Sequence, residues 1–395
     1  MLGPCHLTFV LLAMAITCTG TQRTSLWTED CRKSMYPPSG PTYRGPVPWY
    51  AINLDLPPYD RWHELMTNKQ PVLKIIVNSM RNIINALSPS GEVMQMVDGN
   101  LSKILGKFPA PYEEEMKGIS DATNISLGEI IAFNIFYELF TMCTSIITED
   151  KKGHLLHVRN LDFGISLGQN VSDSKLVITE QLKLLTVNLD FKRNNKTVFK
   201  ATSFAGYVGA LTGFKPELFS LTINERFSIH GGYLGVLEWI LGKKDAMWIG
   251  FITRSVLENG TSYEEAKKIL TQANLLVPAY FILGGKQSGE GCVITRERKD
   301  SLDVYELSPK QGRWYVVQTN YDRWKAPLFH NDRRTPAQMC LKRVTQENLS
   351  FSTLYNILST KPILNKLTVF TTLIDVTSNR YETYLRDCPH PCMGW

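Results

Sequence analysis

Cys143-Thr144-Ser145 is the first place where residue types and spacing suggest chemistry. A lone cysteine is more often a core residue than a nucleophile, so its surroundings must decide. The strand expected over 144–148 and the one expected over 154–159 are joined by the charged turn Glu149–Gly153, which makes a hairpin. Arg159, Asn160 and Asp162 end the returning strand, so the hairpin is expected to bring Arg159 and Asp162 back beside Cys143. An arginine stabilises a thiolate, and a carboxylate can orient an amine. Charges in an otherwise apolar strand pair are costly unless paired or used.

Other motifs are weaker. Gly164-Ile165-Ser166-Leu167-Gly168 has the spacing of a nucleophile elbow, but that turn must open a helix, and Gln169-Asn170-Val171-Ser172 is a poor helix start. His154 and His157 are three apart, which on a strand sends them to opposite faces, and no metal-ligand set surrounds them. Gly284–Gly291 lacks phosphate-loop spacing and reads as a hairpin turn.

The elements that must position Cys143 divide into two parts. Residues 60–142 read as helical. Val72, Ile76, Met80, Ile83 and Leu87 form an apolar stripe, and Ser126–Glu129 is a capping box opening the apolar helix Ile130–Phe140. The Pro-rich stretch Tyr36–Pro58 reads as irregular. From Cys143 on, strands are expected at 144–148, 154–159, 176–181, 184–191 and within 197–223. A helix over Gly232–Leu257 and another from the capping box Ser262–Glu265 follow. Strands at 280–284, 292–296, 302–307 and 314–319 come last. This order predicts an α+β fold, two sheets covered by helices, with Cys143 at the border.

The 395 residues begin with the apolar run Phe9–Ile16 and small residues at Cys18-Thr19-Gly20, read as a signal peptide over 1–20. Sequons at Asn100, Asn124, Asn170, Asn195, Asn259 and Asn348 fit a secretory route. The net charge of +6 is uneven: residues 22–142 carry −2 and residues 143–395 carry +8. No basic block with interleaved aromatics suggests a nucleic-acid groove, so no nucleic-acid partner is expected. A basic surface could instead meet anionic lipid, or be merely solvated. Beyond the signal segment the cysteines are Cys31, Cys143, Cys292, Cys340, Cys388 and Cys392. Cys388-Pro-His-Pro-Cys392 suggests a local bridge. If Cys143 stays free and Cys292 is a core thiol, Cys31 is left to pair with Cys340, although spacing does not prove connectivity.

Cys143-Thr144-Ser145 followed by Arg159-Asn160-Leu161-Asp162 resembles the start of the catalytic chain in the choloylglycine-hydrolase branch of N-terminal-nucleophile hydrolases. The resemblance extends to Asn224-Glu225-Arg226, to Gln318–Trp324, to Asp332-Arg333-Arg334-Thr335, to Trp27–Cys31 and to the ending Cys388–Trp395. It covers the mature chain and points to the acid amidases of that branch.

The resemblance implies an αββα sandwich over 143–395, the β subunit, preceded by a mainly helical α subunit over 21–142. It implies that the precursor cuts its own Met142–Cys143 bond and that the freed α-amine serves as base. Cys143 would then attack the amide of ceramide, an N-acyl sphingoid base, in the lysosome, with some protein secreted. Arg159 and Asp162 would position thiol and amine. Asn320, with Tyr137, would be an oxyanion donor, and Arg333 with Glu225 the supporting ion network. It also implies disulfide-linked subunits, a saposin-type activator, a membrane surface with anionic lipids, and no metal or cofactor. Methionine at 142 departs from the β-branched residue expected there, with little effect anticipated because the chemistry uses its carbonyl. An ordinary α-amine titrates near ~7.7–8.0, so burial and Arg159 would have to depress it in acid. The alternatives are N-acylethanolamine hydrolysis and a non-catalytic lipid-binding glycoprotein.

Overall fold

The computed structural model describes residues 28–87, 105–136, 141–163, 172–226, 235–236, 238–239 and 245–392. The expected signal peptide, the Gly164–Gly168 motif, Tyr137, Asn100, Asn170 and the last three residues lie outside them.

Two sheets carry the fold. The first has strands β1 (Tyr43–Pro46), β3 (Thr141–Glu149), β4 (Leu155–Phe163), β12 (Tyr315–Gln318), β13 (Thr368–Asp375) and β14 (Arg380–Arg386), in the order β1-β14-β13-β4-β3-β12. The second has β2 (Trp49–Asn53), β5 (Thr186–Arg193), β6 (Lys196–Phe204), β7 (Thr212–Lys215), β8 (Phe219–Glu225), β9 (Ala279–Gly284), β10 (Gly291–Arg296) and β11 (Ser301–Glu306), in the order β11-β10-β9-β8-β7-β6-β5-β2.

The N-terminal helices are α1 (His63–Leu87), α2 (Tyr112–Thr123) and α3 (Leu127–Phe136). Then come α4 (Ser172–Leu185), α5 (Ile249–Asn259), α6 (Tyr263–Gln272), α7 (Arg334–Val344) and α8 (Phe351–Ser359). Strands β3 and β4 pack on β8 and β9. Helices α7 and α8 cover the outer face of the first sheet, and α5 and α6 cover the second. The layers are therefore αββα, as the strand–helix–strand order implies.

Several local readings change. The stretch expected as two strands at 176–181 and 184–191 is helix α4 followed by β5. Ile178, Leu182 and Leu185 are buried at spacings of four and three, a helical stripe that a short apolar run conceals. The helix expected over 232–257 is interrupted, because residues 245–248 are non-helical and α5 starts at Ile249. Within Tyr36–Pro58, β1 joins the edge of the first sheet and β2 joins the edge of the second, parallel to β5. Proline is tolerated at such edges, because the outer N–H side needs no partner. The N-terminal part is thus woven into both sheets.

Capping agrees with the sequence at α3. Ser126 Oγ accepts from Glu129 N at 3.3 Å, and Glu129 Oε2 accepts from Ser126 N at 3.3 Å. At α6, Ser262 Oγ accepts from Glu265 N, but the Glu265 carboxylate turns to Thr261 N instead.

The N-terminal helices are locked to the strand layers by packing and charge. Gly206 has φ +94, and a Cβ there would meet Leu73 and Phe133 at 3.2 and 3.3 Å. Glu115 on α2 is fully buried against Arg254 on α5, with Arg61 Nη1 at 3.0 Å and Trp62 Nε1 at 2.7 Å completing its shell. Removing one member of such a buried ion cluster typically costs about 3–5 kcal/mol.

Cys31 is bonded to Cys340 and Cys388 to Cys392, while Cys143 and Cys292 are free and buried. A cut after Met142 would leave two pieces joined by Cys31–Cys340. Asn124, Asn195, Asn259 and Asn348 are exposed. Among the described residues no helix is long and apolar enough to cross a membrane.

Candidate active site

The β3–β4 register sets the site. Cys143 pairs with Leu161, Ser145 with Arg159, and Met142 with Asp162. Strand alternation then puts Cys143, Ser145 and Arg159 on the face toward the second sheet, and Met142, Thr144 and Asp162 on the other.

Arg159 is fully buried and spans the gap between the sheets. Its Nη1 donates to Leu211 O and Thr212 Oγ1, both at 2.6 Å, and its Nη2 donates to Ile223 O at 2.9 Å and to Cys143 Sγ. Among the described residues no carboxylate sits on this guanidinium, so the sulfur is the group there that can become its counter-charge. Burial pushes the Cys143 thiol up, and Arg159 opposes that shift. In the uncleaved chain burial prevails.

Asp162 does not stand beside the thiol, because it points to the opposite face. Its Oδ2 accepts from Arg333 Nη1 at 3.1 Å and its Oδ1 from Thr368 Oγ1 at 2.6 Å. Burial pushes this carboxyl up, and Arg333 works against it. Arg333 relays the contact, since the same Nη1 donates to Cys143 O at 2.6 Å. Its Nη2 donates to Asn320 Oδ1 at 2.7 Å and its Nε to Asn331 Oδ1 at 3.0 Å.

Asn320 is oriented as an acceptor. Its Oδ1 also accepts from Cys143 N at 3.0 Å, while its Nδ2 donates to Glu225 O at 2.7 Å. Two donors converging on one amide atom require oxygen there. As placed, Asn320 turns its oxygen to the main chain of Cys143 and its nitrogen to Glu225 O. Glu225 meets Asn320 through its main-chain carbonyl, and the carboxylate paired with Arg333 is Asp162. The neighbouring Arg226 bonds Asp322 and Glu297.

Sequence reasoning left out Thr368, Asn331 and the pair Ser145 Oγ–Asn224 Oδ1 at 2.9 Å. Asn331 stands two residues before Arg333, a signal that was available. Thr368 enters only because β13 pairs with β4.

His157 is buried between the sheets, bonded to Ser220 Oγ at 2.8 Å and Thr222 Oγ1 at 3.1 Å. Burial, aided by Arg159, lowers its pKa to about 3. The unfolded chain protonates this histidine below about 6.5, whereas the folded chain keeps it neutral. Stability is therefore full above pH 6.5 and falls by about 1.4 kcal/mol per pH unit between 6.5 and 3. His157→Gln is expected to flatten that part of the curve. Unfolding free energies measured from pH 7 to 4 check it, and parallel curves would refute it.

A cavity of about 550 Å³ lies along β12 and α7, lined by Tyr305, Arg313, Arg323 and Arg334 among others, and it does not include Cys143. Arg323 is paired with Asp303, and the other two arginines donate to main-chain carbonyls. Among the described residues no group of three or more His, Cys, Asp or Glu could hold a metal ion.

A family model described as linear amide C–N hydrolases, choloylglycine hydrolase family, matches residues 143–388. The chain belongs to this family. It is an amidohydrolase, which sets aside the non-catalytic glycoprotein.

A second family model, the beta subunit of N-acylethanolamine-hydrolyzing acid amidase, matches residues 45–108. That name puts "beta" on a stretch before Cys143. Proteins named acid ceramidase are 78% identical in Heterocephalus glaber, 73% in Homo sapiens and 70% in Mus musculus, each over the whole of both chains. The solved Caenorhabditis elegans ortholog of N-acylethanolamine-hydrolyzing acid amidase is 33% identical with TM-score 0.53, covering 62% of this chain and 99% of that one. The αββα layers of this choloylglycine hydrolase family member are thus an N-terminal-nucleophile hydrolase fold.

Proposed function

We propose that this choloylglycine hydrolase family member hydrolyses ceramide to sphingosine and a free fatty acid, after Cys143 has cut its own chain from Met142. The observation that carries the reading is the fully buried Cys143 Sγ under Arg159, in a chain that matches acid ceramidases end to end.

In the first reaction the thiol adds to the Met142 carbonyl. The C–N bond breaks, the nitrogen leaves as the Cys143 α-amine, and water resolves the thioester to a Met142 carboxylate and a free thiol. In the second, the thiol gives its proton to that amine and attacks the lipid amide. The sphingoid amine leaves with the proton, and water releases the fatty acid. Opening the site would remove the burial that raises the thiol and leave the Arg159 contact that lowers it. Asp162 and Arg333 hold the main chain of Cys143 while this happens. The N-terminal part would end at Met142, the C-terminal part would begin at Cys143, and Cys31–Cys340 would tie them together.

The compartment we infer is the lysosome, with part of the protein secreted. The four described sequons, all exposed, fit that route. A ceramide hydrolase must meet a membrane. Trp324, Leu328 and Phe329 are about half exposed and flanked by Arg323 and Lys325, which suits an interface rich in anionic lipid. They lie between Asn320 and Arg333, so the loop that reaches Cys143 also offers the apolar tip. A saposin-type lipid-presenting protein would act at the same surface.

N-acylethanolamine is the rival substrate, favoured by the match at residues 45–108. Turnover of both lipids by the processed protein at acid pH tests the choice. A kcat/KM ratio favouring ceramide by at least about tenfold, or 1.4 kcal/mol, is expected. The reverse preference would reassign the head group.

A further inference from the structure

Self-cleavage uses the carbonyl of residue 142, which would make its side chain indifferent. The structure gives that side chain a polar partner. Met142 Sδ lies 3.8 Å from Asn331 Nδ2, and both residues are buried. The other end of the Asn331 amide, Oδ1, accepts from Arg333 Nε at 3.0 Å. Since Nε can only donate, the amide is fixed with its nitrogen toward Met142. Tyr321 is hydrogen-bonded by the same side chain. Asn331 thus joins residue 142 to Arg333, which holds Cys143 O and Asn320, which in turn holds Cys143 N. The segment from Asn320 to Arg333 grips both sides of the Met142–Cys143 bond.

We infer that Asn331 is a positioning residue for self-cleavage and that Met142 is recognised through its sulfur. This rests on the reading of Cys143 as a self-processing nucleophile. A thioether is a weak acceptor. The N–H facing it is buried, so losing the sulfur removes the contact that orients the Met142 side chain. Leucine fills a similar volume and offers no acceptor. A β-branched residue is shorter and offers none either. The pair therefore fixes the Met142 side chain and, through it, the aim of its carbonyl at Cys143 Sγ, where small misplacements slow a reaction strongly.

The test is a double-mutant cycle on the full-length precursor, with conversion followed over time on reducing gels. Met142→Leu removes the acceptor. Asn331→Asp keeps an oxygen for Arg333 and removes the N–H. Each single change is expected to slow processing about threefold to tenfold, with the double variant no slower than the slower single. Wild-type rates in the singles, or effects that multiply in the double, would overturn the inference. The same substitutions are placed in a Cys143→Ala background to measure unfolding midpoints. Unchanged midpoints support positioning, whereas midpoints that fall in step with the rates would make the contact merely structural. Cleavage of Cys143→Ala itself would instead defeat the self-processing reading, a result separable from any outcome of the cycle.

Discussion

Cys143→Ala is expected to give a folded single chain that neither splits after Met142 nor hydrolyses ceramide. The fold should survive because the change deletes one sulfur and leaves Arg159 its bonds to Leu211, Thr212 and Ile223. Cys143 N and O belong to the main chain, so their bonds to Asn320 and Arg333 are also retained. The chemistry should not survive, because one sulfur is assigned both reactions. Removing a covalent nucleophile costs roughly 10⁶-fold in kcat in the best-measured hydrolase. A reducing gel reads the first effect and fatty-acid release the second. A split chain, or hydrolysis within about a hundredfold of wild type, would defeat the assignment of Cys143.

Arg333→Gln has the second large effect, and it acts on stability and chemistry together. Arg333 is fully buried and satisfies Asp162, Cys143 O and Asn320 Oδ1 at once. The glutamine variant would strand a buried carboxylate, and a loss of about 3–5 kcal/mol is expected. Processing should stop, because the main chain around the scissile bond loses its donors. Adding Asp162→Asn separates the two effects. With no unpaired charge left, urea unfolding should show much of the stability restored, while processing stays lost. Stability within about 1 kcal/mol of wild type in the single variant would count against this role. Restored processing in the double variant would also contradict it.

Arg159 was readable from the sequence because a hairpin with a short charged turn returns it near Cys143 whatever the details. Asp162 was misjudged for a parity reason. The register pairs Cys143 with Leu161, so Asp162 falls one residue past the partner and on the other face. A shift of one residue would exchange the faces, and nothing local to the turn announces which applies. The family resemblance gave Asn320 as an oxyanion donor, and its residue type permits either end to face Cys143. Only Arg333 and Cys143 N, converging on the same atom, decide which end faces Cys143.

The same division runs through the fold. Alternating and helical patterns were sufficient for most elements after Cys143, since periodicity is written in consecutive residues. The run at 176–191 failed because a short apolar segment satisfies both periods until its neighbours select one. Strands β1 and β2 were read as irregular because each is completed by a partner more than a hundred residues away.

By itself the sequence determined the α+β class, the return of Arg159 to Cys143, and the family. These depend on residue identity and short-range spacing. Tertiary structure alone decided that Asp162 meets Arg333, that Asn320 turns its oxygen to Cys143 N and its nitrogen to Glu225 O, and that the N-terminal part supplies an edge to each sheet. It also decided that Met142 has a partner in Asn331. Those are contacts between residues far apart in the chain, and register, burial and the competition for each polar atom select them only once the two sheets close on one another.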